Sequence, residues 1–229
     1  MAELATPQFW LAIGAIVFVN VLLSGDNAVV IALACRNLPP RSRRQGIFWG
    51  VLGAIVLRIV LTLFVMSLLV DPWLKLVGAA LLLLIGVRLI AEEASGPRHV
   101  KASNRLLAAV GTILVADVVM SLDNIMAVAA AAKGNVWLIV FGLAISIPIV
   151  VVGSQVIVPL LARFPLLVYA GGGMLGYIGG EMALDDPVIK PWIAVHAIGL
   201  VPIAPFVGFV AVVATGLYLV RQRQAAGGR

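Results

Sequence analysis

The chain has 229 residues, 62% of them apolar, with 16 basic against 10 acidic residues and a mean hydropathy of +1.14. So few charges cannot cover a water-soluble surface of ordinary composition, and a hydropathy this high excludes the alternating strands of an outer-membrane barrel. At about 20 residues per bilayer crossing, the apolar residues suffice for about seven helices, which predicts an all-α polytopic membrane protein rather than a soluble enzyme.

In chain order, apolar runs between charged or Pro/Gly punctuation predict spans over 9–35, 46–70, 73–94, 104–132, 135–159, 164–184 and 201–221, within a single membrane domain covering residues 1–229. No Lys or Arg precedes Arg36, so the first run lacks the basic region of a cleavable signal and is expected to remain as a helix. The net charge of +6 is not the footprint of a nucleic-acid binder, because the basic residues fall between apolar runs. Arg36, Arg41, Arg43 and Arg44 follow the first span, Arg98, Lys101 and Arg105 the third, Arg163 the fifth, and Arg221, Arg223 and Arg229 the last. Every odd-numbered helix therefore ends on a basic loop, and the positive-inside rule places the N-terminus outside and the C-terminus in the cytoplasm. The lone Cys35 excludes an internal disulfide framework and a multi-cysteine metal site, and His99 and His196 fall in expected loops.

The chain repeats itself. Sliding it by 97 residues sets Asn20–Cys35 against Asp117–Ala132, with identity at Ser24/Ser121, Asp26/Asp123 and Asn27/Asn124 beside three apolar matches. Sliding it by 93 aligns Gly78/Gly171, Leu82/Leu175, Ile85/Ile178 and Gly86/Gly179, followed by Glu92-Glu93 against Asp185-Asp186. The repeating unit is three helices, over 9–94 and again over 104–184, with 201–221 as an added seventh. Three is odd, so the second copy enters the membrane from the opposite side and the expected architecture is an inverted pair.

Polar residues lie inside these spans: Asn20, Ser24, Asp26 and Asn27 on the first, Arg58 on the second, and Asp117, Ser121, Asp123 and Asn124 on the fourth. A charge at the bilayer centre costs about 2.5–3.5 kcal/mol, so three Asp and one Arg exposed to lipid would cost on the order of 10 kcal/mol. They are expected to face one another, water or an ion. On an unbroken helix Asp26 and Asp123 would point roughly 120° away from Asn20 and Asp117. Gly25 would ease an unwinding that brings the first set together, as in the discontinuous helices of inverted-repeat transporters. Three carboxylates less one guanidinium leave a charge that a divalent cation would neutralise. Carboxylate, amide and hydroxyl oxygens suit Mg²⁺, Ca²⁺ or Mn²⁺, and no thiolate or imidazole lies at this depth for a softer metal. Asp26, Asn27, Asp117, Asp123 and Asn124 are thus the expected ligands, with Asn20, Ser24, Gly25, Arg58 and Ser121 in support. Arg58 cannot bind a cation and reads as a counter-ion. Asn20, Ser24 and Ser121 taken singly fit interhelical hydrogen bonding equally well. The glycines from Gly171 to Gly180 read as close helix packing, because no Lys-Ser/Thr follows them as in a phosphate loop.

The strings SGDNAVVIALACRNLP and ADVVMSLDNIMAVAAAA, with Gly180-Glu181-Met182 in a Gly-rich sixth span, resemble the TerC family of integral membrane proteins, particularly its YjbE-like branch. The resemblance covers essentially the whole chain. It implies a multi-pass protein of the bacterial cytoplasmic membrane within the lysine-exporter superfamily, exporting metal ions, with Mn²⁺ as cargo for several members and a tellurium-resistance label on others. Many relatives carry an acid where this chain has Asn20. Direct carriage of tellurite is disfavoured, because carboxylates repel an oxyanion. No bound cofactor and no nucleic-acid partner are expected. The partners are a divalent ion and the lipid bilayer, with secreted-protein or other membrane machinery if the protein is a metallation scaffold rather than a carrier. An intramembrane aspartyl protease built on Asp26 and Asp123 is the rival chemistry, against which the doubled Ser-x-Asp-Asn argues, since a proton-sharing dyad needs no symmetric amides. An amino-acid exporter is the remaining reading from the superfamily.

Overall fold

The computed structural model describes residues 14, 25–68, 73–92, 102–132 and 136–227, and of residues 63–68, 102, 122–132, 136, 146 and 226–227 the backbone alone. The elements are α1 (Gly25–Cys35), α2 (Pro40–Leu68), α3 (Leu74–Ala91), α4 (Ala102–Ala132), α5 (Val136–Arg163), α6 (Leu166–Leu184), a short α7 (Lys190–His196), a 3₁₀ turn at Ile198–Leu200, and α8 (Ala204–Gly227). No strand occurs among the described residues.

Five of these helices, α2, α3, α4, α5 and α8, are long and apolar enough to cross a membrane. The protein is an all-helical multi-pass membrane protein. Two of the seven expected spans stand apart from those five. The run 9–35 is described continuously only from Gly25, and α6 is long enough but has its apolar character diluted by six glycines and Glu181. Several loop assignments are corrected: Arg105 lies in the first turn of α4, Arg163 closes α5, and Arg221 and Arg223 lie within α8. Arg41, Arg43 and Arg44 lie in the first turns of α2 because Pro40 opens that helix, where its missing N–H costs nothing. His196 ends α7, where its ring stacks on Trp192 with centroids 5.3 Å apart.

The helices pack in couples. α1 packs on α5 as α4 packs on α2, and α1 on α6 as α4 on α3, while α1 meets α4, α2 meets α5 and α3 meets α6. α8 lies against α3 and α6. Small residues set the closest approaches. A methyl group at Gly86 would stand 2.7 Å from the carbonyl oxygen of Gly172, and one at Gly179 would stand 3.1 Å from that of Ala79. As the α3 position falls from 86 to 79 the α6 position rises from 172 to 179, so the two helices run antiparallel. Gly176 and Gly208 likewise each face the other's carbonyl, which lets α6 cross α8 backbone to backbone.

Charges fix the two ends of α3 in the sense its dipole favours. At its N-terminus the fully buried Asp186, just past α6, accepts hydrogen bonds from the backbone of Trp73 (3.4 Å), Leu76 (3.2 Å) and Val188 (2.9 Å). Trp73 there holds a left-handed backbone, φ 72°. At its C-terminus Arg36 donates to the Leu89 carbonyl and Arg223 to the Ala91 carbonyl, each at 2.8 Å. The C-terminal ends of α1, α3 and α8 therefore meet at one end of the bundle.

Candidate ion site

α1 opens at Gly25 and puts Asp26 in its first turn, where the carboxylate accepts the Asn27 N–H at 2.8 Å. The expected unwinding before Gly25, with Asn20 and Ser24, lies outside the described residues. The second copy has Leu122 in place of Gly25, and α4 stays helical through the motif to Ala132.

α2 approaches α4 closely because glycines face it. A methyl at Gly50 would stand 2.6 Å from Ile113 Cδ1, and one at Gly53 would stand 2.8 Å from Leu114 Cδ2. Two turns beyond Gly50, this contact delivers Arg58 to Asp117 and Ser121. Arg58 Nη2 lies 2.5 Å from Asp117 Oδ1, Arg58 Nε donates to Ser121 Oγ at 2.9 Å, and Ser121 Oγ donates to Asp117 Oδ2 at 3.3 Å. All three residues are buried. Thr62, one turn on, donates to the Arg58 carbonyl at 2.7 Å.

Asn27 is the unusual member. It is 5% exposed, and among the described residues neither atom of its side-chain amide has a hydrogen-bond partner. A buried amide left unpaired costs about 1–3 kcal/mol and calls for a ligand or water. It lines a cavity of about 10 Å³ with Val30 and Ile31 of α1 and with Ile113, Ala116 and Asp117 of α4. That is room for about one water molecule or small ion. Asp26, the neighbour of Asn27 on α1, is not among the residues that line this cavity.

The fold thus brings Asn27, Arg58, Asp117 and Ser121 together from α1, α2 and α4, with Asp26 adjoining Asn27 on α1. Asp123 and Asn124 lie on the described backbone of α4, but their side chains are outside the described set. Among the described residues no three His, Cys, Asp or Glu side chains form a metal-holding group. Two buried polar residues were not singled out in the sequence. Thr62 could have been found as the hydroxyl four residues after an intramembrane Arg, and Ser154, whose hydroxyl donates to the Val150 carbonyl at 2.8 Å, by its depth in an apolar span.

Residues 5–225 match the Integral membrane protein TerC family. The chain belongs to the TerC family. Among its relatives, the uncharacterized membrane protein YjbE of Bacillus subtilis (strain 168) is 44% identical over 181 residues, covering 79% of this chain and 83% of the relative. The uncharacterized membrane protein YceF of the same organism is 29% identical over 189 residues, covering 79% of this chain and 73% of the relative. The UPF0053 inner membrane protein YgdQ of Escherichia coli (strain K12) is 21% identical over 202 residues, covering 81% and 85%. No solved structure matches the chain. Family membership accords with a membrane transporter, and the relatives' descriptions name no cargo.

Proposed function

We propose that this protein is a carrier, not an enzyme, that exports divalent metal cations across the bacterial cytoplasmic membrane, with Mn²⁺ as its cargo. The observation that carries this reading is Asn27, which has an unpaired buried amide, lines a cavity together with Asp117, and donates its backbone N–H to the Asp26 carboxylate. In the proposed site, Asp26 and Asp123 supply charge, and Asn27 and Asn124 supply amide oxygens. Asp117, expected beside them, is engaged by Arg58. These hard oxygen donors accept Mn²⁺, Ca²⁺ and Mg²⁺ alike. The choice of Mn²⁺ and the outward direction follow from the family resemblance.

The same reading takes residues 9–94 and 104–184 as inverted three-helix units, with 201–221 as the seventh span, the N-terminus outside and the C-terminus in the cytoplasm. It is supported by the couples in which the helices pack, by the antiparallel run of α3 against α6, and by the meeting of Arg36, Leu89 and Arg223 at one end. Alternating access is then a rocking of one unit against the other about a site at their interface.

Uptake of Mn²⁺, Ca²⁺ and Mg²⁺ by inside-out vesicles holding only the purified protein tests the proposal. Saturable Mn²⁺ uptake that falls in Asp26→Asn and Asp123→Asn is expected. If the protein alone moves none of the three ions, the metallation-scaffold reading takes its place.

A further inference from the structure

We propose that Asp117 and Arg58 form a permanently paired, electrically neutral unit that positions the site, and that the charge presented to the cargo comes from Asp26 and Asp123 alone, one carboxylate from each repeat. The inference rests on the carrier reading and assigns the roles within its site.

Three observations carry it. First, both Asp117 oxygens are already engaged by buried partners, Oδ1 by Arg58 and Oδ2 by Ser121, and Arg58 is held in turn by Ser121 through Nε. A divalent ion ligated by this carboxylate would sit beside the guanidinium and be repelled by it. Secondly, the pair joins the two copies, since Arg58 belongs to 9–94 and Asp117 to 104–184, and the positions the repeat makes equivalent to it carry no charge. The position equivalent to Asp117 is Asn20, and the helix equivalent to α2 is α5, which carries no Asp, Glu, Lys or Arg from Val136 to Ala162. An acid of the second copy paired with a base of the first answers to a neutral amide of the first copy matched with a helix of the second that has no base. Thirdly, the pair joins α2 to the face of α4 that also walls the Asn27 cavity, so it fixes the side of the site opposite α1. Asp117 is on this account a positioning residue, and Arg58 its fixed counter-ion. The site then offers a net charge of −2 from Asp26 and Asp123, matched to a divalent ion.

The test is a double-variant cycle in inside-out vesicles, reading Vmax and KM for Mn²⁺ together with thermal unfolding of the detergent-solubilised protein. Arg58→Gln alone and Asp117→Asn alone each break the pair from one side, and each is expected to lower Mn²⁺ transport at least about tenfold and to lower the unfolding temperature. The double variant gives this contact between the copies the neutral character of its repeat equivalent. It is expected to recover unfolding temperature and transport to within about threefold of wild type, with KM for Mn²⁺ likewise within about threefold. A folded double variant as inactive as Asp117→Asn, or one with KM raised tenfold, overturns the proposal, because a ligand cannot be restored by deleting its counter-ion. If the double variant does not fold, Asp117→Glu combined with Arg58→Lys decides. Near-normal KM supports a pair whose charges alone matter, and a KM raised at least tenfold makes Asp117 a ligand. Asp26→Asn and Asp123→Asn run beside these. Wild-type transport in both would sink the carrier site itself, whereas the unfolding temperatures of the cycle still report whether Asp117 and Arg58 act as one unit.

Discussion

Gly86 of α3 lies against the carbonyl of Gly172 of α6, with 2.7 Å between that oxygen and the place a methyl group would take. Shifting both positions by 93 residues turns this contact into the one between Gly179 and Ala79, so one contact occurs twice with the helices exchanging roles. Such a crossing tolerates no side chain, because the facing atom is backbone and cannot rotate away. Gly86→Ala is expected to destabilise the protein by about 1–3 kcal/mol. Gly111→Ala, on α4 with nothing within 4 Å of the added methyl, is expected to be neutral or to stabilise by up to about 1 kcal/mol. Denaturation in detergent with the two variants side by side checks the pair of outcomes.

Asp26→Asn and Asp123→Asn each replace a charged ligand with a neutral one of the same shape. Each is expected to weaken Mn²⁺ binding at least tenfold, about 1.4 kcal/mol. Asp117→Asn ranks next, and Asn20→Ala is the mildest, since an amide there already lacks charge. Initial rates of Mn²⁺ uptake at matched expression give the order, and wild-type rates in both central variants would remove the ion site.

Asn27→Leu deletes the unpaired amide without changing the charge of the site. A purely structural Asn27 predicts a more stable protein with unchanged transport, because a buried unsatisfied group is removed. The ion-site reading predicts a fall in Mn²⁺ transport of at least about tenfold with stability equal or higher. Unfolding temperature and transport measured on the same preparation separate the two.

The buried carboxylate of Asp186 joins the end of α6 to the start of α3. Asp186→Ala strands the N–H groups of Trp73, Leu76 and Val188 and is expected to cost about 1–3 kcal/mol. Trp73→Gly relieves the left-handed backbone at that residue and is expected to leave stability nearly unchanged despite the loss of an exposed ring. Thermal unfolding of the two variants tests whether the carboxylate or the indole holds this end.

A protease-cleavable tag joined after Arg229 is expected to be cut in inside-out vesicles and protected in intact cells. The reverse pattern would invert the sidedness on which export depends.

Much of this was legible in the sequence for a local reason. A bilayer-crossing helix satisfies its own backbone hydrogen bonds and must be apolar along its length, so each span announces itself in a window of about 20 residues without reference to its neighbours. The repeated Ser-x-Asp-Asn and the glycines at 78, 86, 171 and 179 were visible in the same way, as was the exposure of Asp26, Asn27, Arg58, Asp117 and Ser121 to suspicion by their depth alone. What each polar residue touches was not local. Asp117 could have faced an ion or Arg58, 59 residues away, and the outcome depended on Gly50 and Gly53 letting α2 close onto α4 in one rotation. Asp186 read as half of an acidic pair matching Glu92-Glu93, and only the antiparallel docking of α6 on α3 turned it into the cap of a helix more than a hundred residues earlier. Helix rotation and crossing are decided by which side chains interlock between segments, and that information is in no single window of the chain.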